Sequence, residues 1–351
     1  MNTKKLNVLN KYDIIFERGC LGHCGDMVRT AVGETARKAA VVTDDNVAPL
    51  YLDTVTRSLE SANFEVCTFV FNHGEQNKNI ATVMKMVKFF AENGLTRTDI
   101  AVALGGGVCG DMCGFAAAIY LRGIRFVQMP TSLLAQVDSS VGGKTGCDLD
   151  CGKNLVGAFH HPSLVLIDAD TLSTLPPSYL ADGMGEVIKT ACIRSASLAE
   201  QLEKSGKYEE IDNIIYQCVQ IKAQVVENDF TEKDERMLLN FGHTIGHAIE
   251  KLENFSGISH GMAVGVGMVA VCRAAERSGL TKTGCADRIC ALLNKYDMPT
   301  STDHDSDAIA EAAMKDKKKL GGQLNLVLLH DIGDAYIYGM DSNRFADFLR
   351  R

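Results

Sequence analysis

Four short apolar runs constrain the first half of this chain more than any other feature. Ala39–Asp44, Phe64–Phe71, Asp99–Leu104 and Gly123–Met129 are bounded by polar or glycine positions. Runs of this length, apolar nearly throughout, belong to strands buried on both faces. Helical stripes lie among them. From Asn77 to Asn93, Ile80, Val83, Met84, Val87 and Phe90 recur at helical spacing, and Gly94 stops the pattern. Met112–Ile119 is a second apolar helix. Strands interleaved with helices predict a mostly parallel sheet covered on both faces.

After Pro176-Pro177 the strand pattern fades. Helical patterns follow at about 182–203, 207–228, 234–253, 260–278, 283–295 and 306–315. Only Leu324–Leu329 and Ala335–Tyr338 read as extended. An α/β domain over 1–170 and a mostly α-helical domain over 171–351 are therefore expected.

A net charge of −8 argues against a general nucleic-acid or membrane binder. No uninterrupted apolar run approaches the roughly 18 residues of a membrane span. No apolar segment follows Met1–Leu6, so the expectation is a cytoplasmic protein without a signal peptide. Twelve cysteines are many for such a chain. The pairs Cys20/Cys24, Cys109/Cys113 and Cys147/Cys151 match no zinc or redox spacing, so they read as small buried hydrophobes rather than a disulfide framework.

Gly105-Gly106-Gly107-Val108-Cys109-Gly110-Asp111 satisfies G-x-G-x-x-G at the end of a strand. Glycines there let backbone N–H groups approach a pyrophosphate at a helix N-terminus. The usual acid about 20 positions downstream is missing. Asp44, closing an earlier strand, could hold a ribose hydroxyl instead, with Asn46 beside it. A purely structural strand–helix turn is the alternative. Farther on, Arg122, Thr131-Ser132, Asp138, Gly142-Gly143-Lys144-Thr145 and Lys153-Asn154 crowd a short region. Gly143-Lys144-Thr145 matches the end of a P-loop, but Val137-Asp138 stands where the first glycine should be, which argues against an NTPase. The region reads as a phosphate cradle or as a solvated hairpin.

In Asn240-Phe241-Gly242-His243-Thr244-Ile245-Gly246-His247 two histidines stand four residues apart. On a helix they lie about 40° apart around the axis and roughly 6 Å along it, so both rings point one way. They suit two ligands of one ion or a pair of proton carriers. The Glu of His-Glu-x-x-His is absent, so the zinc-protease pattern is excluded. His260 is a third candidate. Glu186, three residues before Lys189, adds a carboxylate. Glu186, His243 and His260 would make a three-ligand site with open positions; structural histidines and a surface ion pair are the alternative. Arg236 and Asn240 are expected on the helix face of His243 and His247, where Arg236 could clamp a carboxylate. Lys222 fits a solvated helix edge better. The charge run Lys315–Lys319 reads as solvated.

Taken together, Leu104–Asp111, Arg122-Gly123, the string Pro130–Thr145, Gly152–Gly157, Gly185–Lys189 and Leu239–Ala248 resemble the 3-dehydroquinate synthase family over about residues 12 to 338. The Pro130–Thr145 string is the most specific. The resemblance implies an α/β N-terminal nucleotide-binding domain plus a mostly α-helical C-terminal domain, dehydroquinate synthase-like, with the active site between them. It implies NAD and a divalent metal, zinc or cobalt. The metal ligands would be Glu186, His243 and His260. NAD would meet Asp44, Asn46, Glu75, Lys78, Gly106, Gly107, Val108, Asp111, Thr131, Ser132 and Asp138, with Lys144 and Lys153. A phosphorylated keto acid would meet Lys144, Asn154, Lys189, Lys222, Arg236, Asn240, His247 and Lys317. Of these, Lys144, Lys189, Lys222, Arg236, Asn240 and His247 would be catalytic, with His247 as a proton relay backed by Glu232. Arg122 resembles the arginine that reaches a neighbouring subunit's phosphate site, which implies a homodimer.

The implied reaction converts 3-deoxy-D-arabino-heptulosonate 7-phosphate to 3-dehydroquinate and phosphate. It proceeds by transient oxidation, phosphate elimination, re-reduction and aldol closure. His160-His161-Pro162 and Asp229-Phe230 depart from the usual family pattern. Three rivals are a cyclase for a substrate without a carboxylate, a metal-dependent polyol dehydrogenase, and a nucleotide-binding interaction protein. The first leaves Arg236 without a partner, the second has no use for the 144–154 region, and the third leaves Glu186, His243 and His260 unexplained.

Overall fold

The computed structural model describes residues 3–9, 11–229, 232, 234–254, 257–314 and 322–350. The expectation at Lys317 lies outside them. The chain divides into two compact units, Met1–Leu175 and Pro176–Arg351.

The first unit contains β1 (Lys4–Val8), β2 (Tyr12–Phe16), α1 (Cys24–Val32), β3 (Lys38–Asp44), α2 (Asp53–Ser61), β4 (Glu65–Phe71), α3 (Ile80–Glu92), β5 (Ile100–Gly105), α4 (Gly107–Ile119), β6 (Arg125–Pro130), β7 (Lys144–Leu149), β8 (Gly152–Phe159) and β9 (Leu164–Ile167). Among the described residues, seven strands form one sheet in the order β1-β2-β9-β6-β5-β3-β4. All neighbours run parallel except β1 and β2. Alternate residues of the inner strands feed two cores. Ala39, Val41, Val102 and Val127 face α1 and α2, whereas Ala40, Val42, Ala103 and Phe126 face α3 and α4. The apolar runs therefore lack alternation because both faces are covered.

The chain steps from β3 outward to β4, then returns to place β5 on the other side of β3. This reversal is a topological switch point, and ligands of open α/β sheets bind beyond the strand ends at such a point. Asp44 ends β3 and Gly105 ends β5.

Sequence and structure differ in instructive places. Helix α3 starts at Ile80 rather than Asn77, because the Asn79 side chain caps it by accepting from the Thr82 N–H at 3.0 Å. Helix α4 starts at Gly107 rather than Met112: Gly105 ends β5, Gly106 is the N-cap, and Gly107–Asp111 belong to the helix rather than to a loop before it. Gly110 and Gly114 then let α4 lie close to its neighbours. A Cβ at Gly114 would stand 2.5 Å from Thr145 Cγ2, and one at Gly110 would stand 2.8 Å from Gln128 Oε1. The 144–159 region is an antiparallel hairpin, β7–β8, outside the main sheet. The two atypical histidines pack on aromatic rings: His160 stacks on Phe126 and His161 on Tyr12.

Asp99, 3% exposed, ties the start of β5 to the start of β3. Its carboxylate accepts from the N–H groups of Arg37 (3.0 Å), Lys38 (2.8 Å) and Thr96 (2.7 Å) and from the Thr96 hydroxyl (2.8 Å). Burial pushes its pKa up, but these hydrogen bonds outweigh it and hold the carboxyl below its usual value. A depressed carboxyl stabilises the fold above its unfolded pKa, about 3.9, and that contribution is lost as pH falls through the folded value. Asp99→Ala is expected to cost about 3 kcal/mol in urea unfolding at neutral pH. The gap from the parent should narrow below about pH 4.

The second unit contains α5 (Pro177–Arg194), α6 (Ala196–Lys204), α7 (Ile211–Asn228), α8 (His243–Leu252), α9 (His260–Arg277), α10 (Cys285–Lys295), α11 (Ser306–Met314), the hairpin β10 (Gln323–Asp331) and β11 (Asp334–Asp341), and α12 (Phe345–Arg350). The pattern over 182–203 is two helices. Ser195 is extended and caps α6, its hydroxyl accepting from the Leu198 N–H at 3.2 Å. The pattern over 234–253 is also broken. Glu235–Asn240 is a 3-10 turn, and Gly242 with φ 79° lies between it and α8. Arg236 and Asn240 therefore do not share a helix with His243 and His247, contrary to the sequence expectation.

Helices α5, α8 and α9 pack at backbone distance through glycines. A Cβ at Gly261 would lie 1.9 Å from Asp182 O, one at Gly185 2.4 Å from Gly261 O, and one at Gly267 2.1 Å from Gly242 O. Among the described residues, no helix is long and apolar enough to cross a membrane.

Candidate active site

In the first unit, the switch point collects several of the predicted nucleotide residues. Asp44 Oδ1 accepts from the N–H groups of Asn46 (2.9 Å) and Val47 (3.0 Å), an arrangement that turns the chain after β3. A Cβ on Gly105 would stand 3.6 Å from Asp44 Oδ2, and one on Gly106 3.4 Å from Ser132 Oγ. Asp44, Gly106 and Ser132 thus surround the α4 N-terminus, whose first N–H groups suit an anion. The Thr131 N–H donates to Gly105 O at 3.0 Å and fixes the next strand end beside them. Asp138 lies in the helical turn Ala135–Ser139.

A second cluster centres on Lys78, 6% exposed. Its Nζ donates to Asn154 Oδ1 at 2.8 Å and pairs with Asp111 Oδ2 at 2.8 Å. Glu75 lies 4.0 Å from Lys78 and 3.9 Å from Lys153. Burial pulls the Lys78 pKa down, but the charges of Asp111 and Glu75 outweigh it and keep it charged. Asn154 has φ 54°, a conformation few side-chain-bearing residues adopt. Asp148, which sequence reasoning did not single out, accepts from the Asn154 N–H at 2.7 Å and stabilises that turn. Lys144 opens β7 and is exposed. Arg122 is exposed in the turn after α4, with φ 67°.

In the second unit, α5 presents Glu186 and Lys189 one turn apart, each 1% exposed and paired with the other. The other Glu186 oxygen, Oε1, is buried without a hydrogen-bond partner. His243 Nε2 lies 3.7 Å from it and His260 Nε2 3.6 Å. Those separations exceed a hydrogen bond. They are near the edge of a tetrahedron with ligand bonds of about 2.1 Å, roughly 3.4 Å. A buried orphaned carboxylate oxygen faced by two imidazole nitrogens fits a divalent metal. His243 Nδ1 faces Phe241 O at 3.2 Å, so donation there leaves Nε2 as the lone pair. Burial, then the Lys189 charge and the other two imidazoles, push the His243 pKa well down, which keeps the ring neutral. Burial also lowers the His260 pKa, but the Glu250 hydrogen bond and the charges of Glu186, Glu250 and Asp182 outweigh it and raise the net value.

His247 joins the same cluster, its ring 5.3 Å from His243 and 5.8 Å from His260. His247, Glu250 and His260 form a second set of atoms close enough for an ion. Lys222 on α7 is 7% exposed, and Arg236 on the 3-10 turn is 2% exposed. Asn240 donates to Glu232 Oε1 at 2.9 Å.

Two residues here were missed by sequence reasoning. Glu250 follows His243 and His247 at helical spacing, a legible signal. Asp182 had none: its Oδ1 accepts from the N–H groups of Gly261 (2.7 Å) and Met262 (3.3 Å), capping α9 from a helix distant in sequence.

Residues 68–182 match the family described as 3-dehydroquinate synthase N-terminal, and 183–319 match 3-dehydroquinate synthase C-terminal. A 3-dehydroquinate synthase of Clostridium perfringens (strain 13 / Type A) is 47% identical over 344 residues, covering 96% of this chain and 98% of that protein. Among solved structures, a 2-deoxy-scyllo-inosose synthase complexed with carbaglucose-6-phosphate, NAD+ and Co2+ is 26% identical, with a TM-score of 0.87 over 99% of each chain. A 2-epi-5-epi-valiolone synthase from Streptomyces hygroscopicus subsp. jinggangensis 5008, with NAD+ and Zn2+ bound, is 25% identical, with a TM-score of 0.87 over 100% of this chain and 98% of that one. Near-complete coverage at this identity, over the same motifs that assemble the two clusters, shows that the chain belongs to the 3-dehydroquinate synthase family.

Proposed function

We propose that the chain is a 3-dehydroquinate synthase acting in the cytoplasm. It converts 3-deoxy-D-arabino-heptulosonate 7-phosphate to 3-dehydroquinate and phosphate. The observation that carries the reading is the buried Glu186 oxygen facing His243 and His260, beside the equally buried Lys189. NAD supplies a hydride acceptor that is regenerated each turnover, and a divalent ion, zinc or cobalt, polarises a substrate hydroxyl. Glu186, His243 and His260 hold the ion. Asp44, Gly106, Gly107, Thr131, Ser132 and Asp138 hold the dinucleotide.

The remaining residues bind and orient an anionic substrate. Lys189, Lys222 and Arg236 are nearly buried cations in one unit, and cationic side chains held in place by burial suit recognition of an anionic substrate. Arg236 and Lys222 suit the carboxylate, with Asn240 beside them. Lys144 and Asn154 suit the phosphate, and Lys78 holds the Asn154 amide. His247 suits proton movement at the ring hydroxyls.

The reading is tested by phosphate release from 3-deoxy-D-arabino-heptulosonate 7-phosphate, with the NADH absorbance followed in parallel. The expected result is stoichiometric phosphate with no net NADH. Release from sedoheptulose 7-phosphate alone would assign another cyclase, and accumulating NADH would assign a dehydrogenase.

A homodimer belongs to the same reading. Ile119 (40% exposed) and Leu121 (39%) flank Arg122, and Leu155 (59%) and Phe159 (50%) project from one face of β8. Exposed large apolar side chains of this kind suit contact with a second copy. Sedimentation at micromolar concentration should give twice the chain mass; a monomer would remove this part.

A further inference from the structure

The His260 ring stands between two carboxylates. Its Nε2 lies 3.6 Å from Glu186 Oε1, and its Nδ1 lies 3.4 Å from Glu250 Oε2. Glu250 is on α8, seven residues after His243 and three after His247, and is 1% exposed. His243, by contrast, has the Phe241 carbonyl at its Nδ1. The two histidines of one candidate site therefore have different supports, one a main-chain carbonyl and the other a side-chain carboxylate.

We propose that Glu250 is the positioning residue for His260. Its carboxylate accepts the Nδ1 proton, so Nε2 carries the lone pair that points toward Glu186. An imidazole with a proton on Nδ1 can ligate only through Nε2, and a carboxylate behind it also strengthens its donation. The backbone cannot do this work alone. Asp182 fixes the first turn of α9 through the N–H groups of Gly261 and Met262, which places the His260 backbone but leaves its ring free to rotate about χ1 and χ2. Glu250 removes that freedom from the neighbouring helix. The phosphate, carboxylate and dinucleotide residues have no part in the inference. It rests on the metal-site reading above, and it adds that Glu250 acts through His260 rather than as a ligand.

The test is Co2+ affinity by chelator competition, with the visible Co2+ spectrum and stoichiometry, on the full chain and on Glu250→Gln and Glu250→Met. Glutamine keeps an acceptor oxygen; methionine keeps the volume without one. Melting of the metal-free proteins checks that both variants fold. The expected result is one Co2+ per chain throughout, with affinity down 10- to 100-fold in Glu250→Met and within about threefold of the parent in Glu250→Gln. Unchanged affinity in Glu250→Met, or equal losses in both variants, would overturn the inference. So would a parent that binds two Co2+ and a variant that binds one, since Glu250 would then be a ligand in its own right. A folded Glu186→Ala variant serves as control. If it binds Co2+ as the parent does, the metal-site reading itself fails and takes this inference with it. If it loses Co2+ while Glu250→Met does not, this inference alone fails.

Discussion

His243→Ala is expected to lose its bound metal, whereas His247→Ala keeps it and loses turnover. His243 Nε2 faces the orphaned Glu186 oxygen, and Phe241 O takes its other nitrogen. Removing one of the three proposed protein ligands should lower metal affinity on the order of a hundredfold or more. His247 is more exposed and one turn farther along α8. Its loss should leave affinity within about threefold while lowering kcat by roughly 10²- to 10³-fold, the range for a proton carrier. Metal content after dialysis, with kcat at saturating metal, separates the two. The alternative set of His247, Glu250 and His260 predicts the reverse. If His247→Ala were the variant that emptied, the ion would belong to that set.

Gly267→Ala is expected to destabilise the second unit by about 3 kcal/mol and to weaken metal binding with it. The new Cβ would fall 2.1 Å from Gly242 O and 2.9 Å from the Gly246 N atom. Both contacts are main chain, so no side chain can rotate away, and α8 must shift from α9. Gly242 directly precedes His243, and the shift would carry this proposed ligand off its position. Gly22→Ala, whose Cβ would meet nothing within 4 Å, is the control, with an expected change below about 0.5 kcal/mol. Urea unfolding and Co2+ binding on both variants give the answer. A Gly267→Ala protein as stable as the parent would show that the helices slide freely.

The inner strands β3, β5 and β6 were legible because covering both faces of a sheet demands continuous apolar runs; β4 has such a run too, yet it lies at the sheet edge and only Phe71 in it is buried. Strand β9 was not, since four apolar residues carry no period. The breaks in the helical half depended on single residues. Ser195 left a readable cap, but nothing local announced that Gly242 would take φ 79° and separate Arg236 from His243. The metal candidates followed from residue type and resemblance, while their convergence required the backbone contacts of α5, α8 and α9. Asp182 and Asp148 act on residues fixed by tertiary structure, and pattern alone could not assign them. Glu250 could have been read from its place on the His243 face.

The cysteines give the molecule a practical property. All twelve are free, nine are buried, and among the described residues Cys151 alone is exposed. It occupies the tip between β7 and β8, two residues before Lys153 and three before Asn154. Burial raises the pKa of most of the inner thiols, that of Cys24 to about 11, which keeps them protonated and slow to react. A bulky maleimide dye should therefore label Cys151 ahead of the half-buried Cys67 and Cys290, without any engineered cysteine. Its fluorescence would then test, in real time, whether the hairpin that carries Asn154 meets the proposed phosphorylated ligand.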